Sequence, residues 1–271
     1  MAPTGFQLAD GAAELYEKNN VPTMSGPAAE RMLEHVDIGA ADRVLDLACG
    51  TGIITRLIAA KYNMTGGVTG LDFNDSMLKV ARSLSPAADF PIEWQRGDIC
   101  DLAFGDGLFE LVLCNHGLQF IPDKAAGFSE IKRVLVPEGR LAFTVWSAEP
   151  ALNVAIADAI RRHISDEWAD ICLSLFSFRD EGVIRKLVDD AGFQSIEMRE
   201  IEIIRRLPAT PSAILDLAMR SHFSGGMNAV NEETRQTIAR EACEALADFR
   251  DGDEFAIPMK NFLVRAKNIG G

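Results

Sequence analysis

Short apolar runs alternate with amphipathic stretches through the first half of the chain. Val44-Leu45-Asp46-Leu47 is almost wholly apolar, as a strand buried on both faces requires. A tight turn follows at Gly50 and Gly52, and 53–61 then reads as a helix. Val68–Asp72, the alternating residues 92–95 and the largely apolar run 109–114 predict three further strands, and 139–146 predicts a fifth. Between them, a helix opens at 74–78 on Asn74 or Asp75, and 129–135 is an amphipathic helix stopped by Pro137. Ahead of the first strand, 11–18 and 27–36 read as two short helices joined by a bend at Pro22 and Gly26. Beyond Trp146, helices are predicted over 153–164 and 181–191 and strands over 194–204 and 261–266. An aromatic stretch at 168–178 reads as a lid, and 211–250 as an inserted helical segment broken at Gly225-Gly226. Strand and helix in regular alternation specify an α/β fold with a parallel sheet.

The turn after the first strand narrows the chemistry. Gly50 and Gly52 lack the Cβ atoms that would keep a ligand from the backbone, and a helix start aims free N–H groups above the strand. A dinucleotide fingerprint needs glycine three residues after Gly52, where Thr55 stands, so pyrophosphate binding is disfavoured. What remains, two apolar residues followed by Asp46-x-Ala48-x-Gly50-x-Gly52, resembles the first motif of the class I S-adenosylmethionine-dependent methyltransferases. Ala48 stands where that family usually has its first glycine. The phrase at 130–141, from Glu130 through Pro137 and Gly139 to Leu141, resembles a later motif of small-molecule members such as those of quinone biosynthesis. Together the motifs cover about 44–146. The resemblance implies a Rossmann-like doubly wound sheet, mostly parallel with an antiparallel edge strand, helical insertions forming a cap, and S-adenosylmethionine as cofactor. It divides the chain into an N-terminal helical lid at 1–42, a cofactor-binding core at 43–146, and 147–271 completing the sheet with the cap insertions, all in one structural domain.

Asp72 closes the second strand, 72 − 52 = 20 residues after Gly52, about the separation left by one helix and one strand. In the resembled family a carboxylate there holds the ribose hydroxyls; alone, such an Asp is usually a turn or cap residue. The resemblance likewise gives the methionine end to Asp46, Ala48, Gly50, Thr51 and Gly52, and sets Phe73 beside the ribose carboxylate. It gives the adenine to Gly97, Asp98 and Ile99, with Met77 against the ring, although Met77 also reads as core and Gly97-Asp98 as an ordinary turn. Tyr16, on a helix folded over the cofactor, is a further contact; the competing reading packs it with Leu15 and Phe6. Asn115 through Gln119 follow the fourth strand, where the methyl group is delivered. Asn115 is assigned to the cofactor, and His116, Gln119, Trp146 and His222 to the acceptor. His116 is the residue of this loop able to take a proton near neutral pH, hence the candidate catalytic base; its bland alternative is a ring bonded to a backbone carbonyl. His163, Trp168, Phe176, Phe178, Met219 and Phe223 are additional acceptor-pocket candidates, each of which also fits a core or surface role.

A formal charge of −13 on 271 residues, with no cluster of Lys and Arg, argues against a nucleic acid or an anionic membrane as partner. A small-molecule acceptor is expected. No Asn-Pro-Pro-Tyr sequence follows the fourth strand, which argues against amide and nucleobase methylation. Five cysteines share no Cys-x-x-Cys spacing and read as reduced, mostly buried thiols, and no ligand spacing suggests a metal. Met1 to Asp10 lack a basic segment followed by an apolar core, so a cytoplasmic protein is expected. The 211–250 segment is read as a cap or a homodimer contact. The functional expectation is methyl transfer to a small molecule by direct displacement; the rivals are other chemistry on the same fold and a non-catalytic adenosine-ligand-binding subunit.

Overall fold

A computed structural model describes residues 11–270. Phe6 and the 1–10 segment therefore lie outside the described residues. Among the described residues, eight strands form one sheet: β1 (Val44–Leu47), β2 (Val68–Asp72), β3 (Ile92–Arg96), β4 (Phe109–Asn115), β5 (Leu135–Trp146), β6 (Gln194–Pro208), β7 (Arg250–Asp251) and β8 (Glu254–Asn268). Their order is β3-β2-β1-β4-β5-β8-β6, with β7 paired to β8. β1 runs parallel to β2 and β4, β2 to β3, and β4 to β5, whereas β7 and β8 are antiparallel. The sheet is thus the expected Rossmann-like one, mostly parallel with antiparallel pairing toward one edge. Strand order reverses between β1 and β4, and in such sheets the crevice beyond the carboxyl ends at that reversal takes the ligand.

The helices are α1 (Ala12–Asn19), α2 (Gly26–Leu33), α3 (Ile53–Lys61), α4 (Asp75–Ser83), α5 (Lys124–Val134), α6 (Ala151–His163), α7 (Asp166–Leu173), α8 (Glu181–Asp190), α9 (Pro211–Met219), α10 (Ser224–Asn228) and α11 (Glu232–Ala245). Side-chain caps set several starts: Asn74 accepts from the Ser76 N–H at α4 and Asp123 from the Ala126 N–H at α5. The Asp123 cap starts α5 five residues earlier than the predicted 129. Strand β5 begins at Leu135, but its ladder with β4 breaks between Leu135 and Arg140, so Pro137 and Gly139 occupy a bulge where a turn is predicted. Strands β6 and β8 extend past the predicted 204 and 261 limits because burial keeps alternating along them.

The described residues divide into two compact units. The first comprises the chain up to Val145, Arg179–Ile201 and the residues from Asn261 on; the second comprises Trp146–Phe178 and Glu202–Lys260. In the first, Val44, Leu111, Leu113 and Ala142 of the sheet pack with Met32 and Leu33 of α2 and Ile54 and Ile58 of α3. The second has its own core, built on Ile156 and Ile160 of α6, Phe223, Met227, Ile238 and Phe255. Gly225 and Gly226 are not a helix break. They lie inside α10, where a Cβ on either would fall 2.6 or 2.5 Å from the Trp168 indole, so glycine makes room for that ring. Among the described residues, no helix is long and apolar enough to cross a membrane.

Candidate active site

The site grows from the end of β1. Ala48, Gly50 and Gly52 all have positive φ, at 51°, 56° and 84°, and this left-handed turn brings the chain from strand to helix in five residues, 48–52. The two glycines do different work. A Cβ on Gly52 would lie 2.3 Å from the Trp94 indole, so the missing side chain there accommodates the protein's own ring from β3. A Cβ on Gly50 would meet nothing nearer than Tyr16 Cε1 at 3.9 Å, which leaves the Gly50 backbone open to a ligand.

Carboxylates surround this turn. Asp46 is 1% exposed; its Oδ2 accepts from Thr55 Oγ1 at 3.1 Å, while its Oδ1 is buried with no hydrogen-bond partner among the described residues. Burial pushes the Asp46 carboxyl up to about 7, opposed by the bonds from Thr55 and aided by the Asp72 charge. Thr55, whose side chain excludes the dinucleotide pattern, is therefore the support of Asp46. Thr51 Oγ1 is likewise buried without a partner among the described residues. Asp72 accepts from the Gly50 N–H and the Asn74 N–H, both at 2.8 Å, tying the glycine turn to the end of β2. Burial raises the Asp72 carboxyl, against the lowering effect of these N–H donors.

Helix α1 lies over the same turn. Tyr16 packs with Ala13, Met77 and Val80, whereas Leu15 is exposed, so the Tyr16 and Met77 side chains share one cluster. Burial raises the Tyr16 hydroxyl, which hydrogen-bonds the Ser25 side chain and feels Asp72. Arg56 anchors the helix: it donates to Glu17 Oε1 and to the Thr51 carbonyl, both at 2.7 Å. Glu17, Ser25, Arg56 and Trp94 carry no motif by which sequence could find them.

On the β2–β3 side, Ile99 is buried and Gly97 donates to the Asp72 carbonyl at 3.1 Å. Asp98 is exposed, and its Oδ1 accepts from the Cys100 N–H at 2.9 Å, the geometry of a local turn. Phe73 is exposed, with the Arg96 guanidinium 5.7 Å from its ring centroid.

Beyond β4, Asn115 is engaged at both ends of its amide, donating to the Ser25 carbonyl at 2.9 Å and accepting from Thr144 Oγ1 at 2.7 Å. His116 has φ 57° and is buried, with Nε2 2.6 Å from Asn261 Oδ1, so the Asn261 side chain helps to orient the ring. Burial lowers His116 to about 4, which leaves it neutral at physiological pH and works against a role as proton acceptor there. Its partner stands 145 residues away on β8 and carries no sequence signal. Gln119 sits in the 3-10 turn Leu118–Phe120, with its Oε1 buried and unpartnered among the described residues.

The other expected acceptor residues belong to the second unit. Trp146 stacks edge-to-face on Phe176 at 5.2 Å. His222 binds the Ile171 carbonyl at 2.7 Å, and burial lowers its ring. Phe223 lies in the unit's core, Trp168 and Met219 pack against that core, Phe178 is buried, and His163 is engaged by Glu241 at 2.7 Å.

Three comparisons bear on this crevice. A family profile described as a methyltransferase domain matches residues 45–143. Demethylmenaquinone methyltransferase of Staphylococcus aureus (strain JH9) is 26% identical over 183 residues, 63% of this chain and 75% of that protein. Among solved structures, the YcgJ protein of Bacillus subtilis has a TM-score of 0.58 at 17% identity, covering 90% of this chain and 99% of its own. Phosphoethanolamine N-methyltransferase 2 of Haemonchus contortus, in complex with S-adenosyl-L-methionine, has a TM-score of 0.54 at 19% identity, covering 88% of this chain and 52% of its own. Both structural likenesses concern the fold. The matched stretch runs from β1 into β5 and encloses the glycine turn, Asp72 and the β4 loop, and over it the chain is similar to a methyltransferase domain and resembles the class I S-adenosylmethionine-dependent enzymes.

Proposed function

We propose that the first unit binds S-adenosylmethionine beyond the carboxyl ends of β1, β2 and β4, and that the protein passes the methyl group to a small molecule by direct displacement. The observation that carries this reading is a pair of buried oxygens without partners among the described residues, on β1 and the turn that follows it: Asp46 Oδ1 and Thr51 Oγ1. Buried acceptors left unmade cost about 1–3 kcal/mol each, so a ligand bearing ammonium and hydroxyl donors fits them. Asp46 and Thr51 would hold the methionine end, Asp72 the ribose, and Gly97, Asp98 and Ile99 the adenine. Tyr16 and Met77 would cover the ligand above the open Gly50 backbone.

When bound, the cofactor supplies a methyl carbon on a sulfonium: the acceptor's lone pair forms the new bond while the carbon–sulfur pair returns to sulfur. The protein's share is orientation, worth on the order of 7–11 kcal/mol when reacting atoms are held in line. Neutral His116, held by Asn261, is proposed as a fixed wall of the loop, with the acceptor's proton leaving to solvent. The quinone named in the Staphylococcus relative makes a reduced naphthoquinone the first acceptor to assay.

Calorimetric titration with S-adenosylmethionine, followed by transfer of labelled methyl to a panel of phenols, amines, thiols and carboxylates, tests the proposal. Absence of binding heat overturns it. Tight binding with no turnover on any acceptor favours an adenosine-ligand-binding subunit.

A further inference from the structure

The last residue of β4 and the loop after it carry three polar side chains, Asn115, His116 and Gln119, and their engagements differ. Both ends of the Asn115 amide are committed, to Ser25 and Thr144, and the His116 Nε2 is committed to Asn261. The Gln119 Oε1 is buried with no partner among the described residues. Its backbone is fixed: the Phe120 N–H donates to the Gly117 carbonyl at 3.1 Å, and Lys124 Nζ caps the Gln119 and Ile121 carbonyls at 3.4 and 2.9 Å. Neighbouring Leu118 is fully buried and anchors the same turn.

Resting on the cofactor site proposed above, we infer that Gln119 determines acceptor specificity: its carboxamide oxygen accepts a hydrogen bond from a hydroxyl or amine N–H of the acceptor molecule. A carboxamide oxygen can only accept. The matching group is therefore an O–H or N–H; a thiol is a weak donor, and a carboxylate offers no donor and adds oxygen-to-oxygen repulsion. Sites built to hydrogen-bond a substrate donor reject analogues lacking it far more strongly than apolar pockets reject a missing methylene, because the buried protein group is then left unpaired. Gln119 thus selects phenols, hydroquinones, alcohols and amines over thiols and acids.

The test uses the whole 271-residue chain with labelled S-adenosylmethionine and four probes: naphthohydroquinone, tyramine, thiophenol and benzoate. The expected result is methyl transfer to one or both of the first two and none to the others. Gln119→Leu should lower kcat/KM on the accepted probe at least tenfold, with the S-adenosylmethionine Kd unchanged by calorimetry, which also shows that the variant is folded. Gln119→Glu, which restores an acceptor oxygen in place, should recover part of the loss. Transfer to neither donor-bearing probe, transfer confined to thiophenol or benzoate, or Gln119→Leu equal to wild type overturns the assignment of Gln119 while leaving the cofactor site standing. Absence of S-adenosylmethionine binding by the wild type overturns the cofactor site itself.

Discussion

Replacing Asp46 by Asn should change how stability depends on pH, and the size of the change follows from two buried groups. The Asp46 carboxyl is raised from 3.8 to about 7, so between those values the folded protein holds a proton that the unfolded chain has released. Stability from this group falls as pH rises through that window, by about 1.4 kcal/mol per pH unit. His116 does the opposite: lowered from 6.5 to about 4, it stays neutral when folded while the unfolded ring charges, so stability is lost as pH falls from 6.5. From pH 4.5 to 6.5 the two slopes nearly cancel in the wild type. A carboxamide in place of Asp46 would mimic the protonated carboxyl and remove one slope. The difference in unfolding free energy between Asp46→Asn and wild type should then grow in the variant's favour by roughly 3 kcal/mol across those two pH units. Urea melts of both proteins at half-unit pH steps measure it. Parallel curves would refute the burial that raises the Asp46 carboxyl.

Three further outcomes are expected. Asp72→Ala should weaken S-adenosylmethionine at least tenfold, about 1.4 kcal/mol, since it removes the carboxylate that also fixes Gly50; calorimetry on the folded variant reads this directly. Gly52→Ala should cost roughly 2–5 kcal/mol, the sum of a left-handed alanine and a Cβ placed 2.3 Å from the Trp94 ring; Trp94→Leu in the same background should recover the steric part in a double-mutant cycle. The His116 ring followed by NMR should remain unprotonated down to about pH 5, and a midpoint near 6.5 would place it in water instead of against Asn261.

Much of the site lies in one stretch of sequence because a strand, a turn and a helix are local objects. Positive φ at Gly50 and Gly52 and the distance to Asp72 are fixed by short-range geometry, and the order of motifs follows. What sequence could not supply is the contact made by chain distant in number. Gly52 reads as room for a ligand, yet its space is taken by Trp94, a residue whose alternating strand gives no hint of which turn its ring slides beneath. His116 reads as a titrating loop residue until burial and Asn261 are known, and Gly225-Gly226 reads as a break until Trp168 fills it. Thr55 shows the middle case: its position is informative as the absence of glycine, while its bond to Asp46 appears only once α3 is wound.

The first unit is assembled from three separate lengths of chain, and the last of them begins at Asn261. On the ribosome, the nucleotide-type half therefore emerges long before its closing strand, and throughout that interval the His116 imidazole waits for the amide that will hold it. Completion of the contacts of the loop after β4 is accordingly a late event in synthesis, since the residues of the second unit must all be made first.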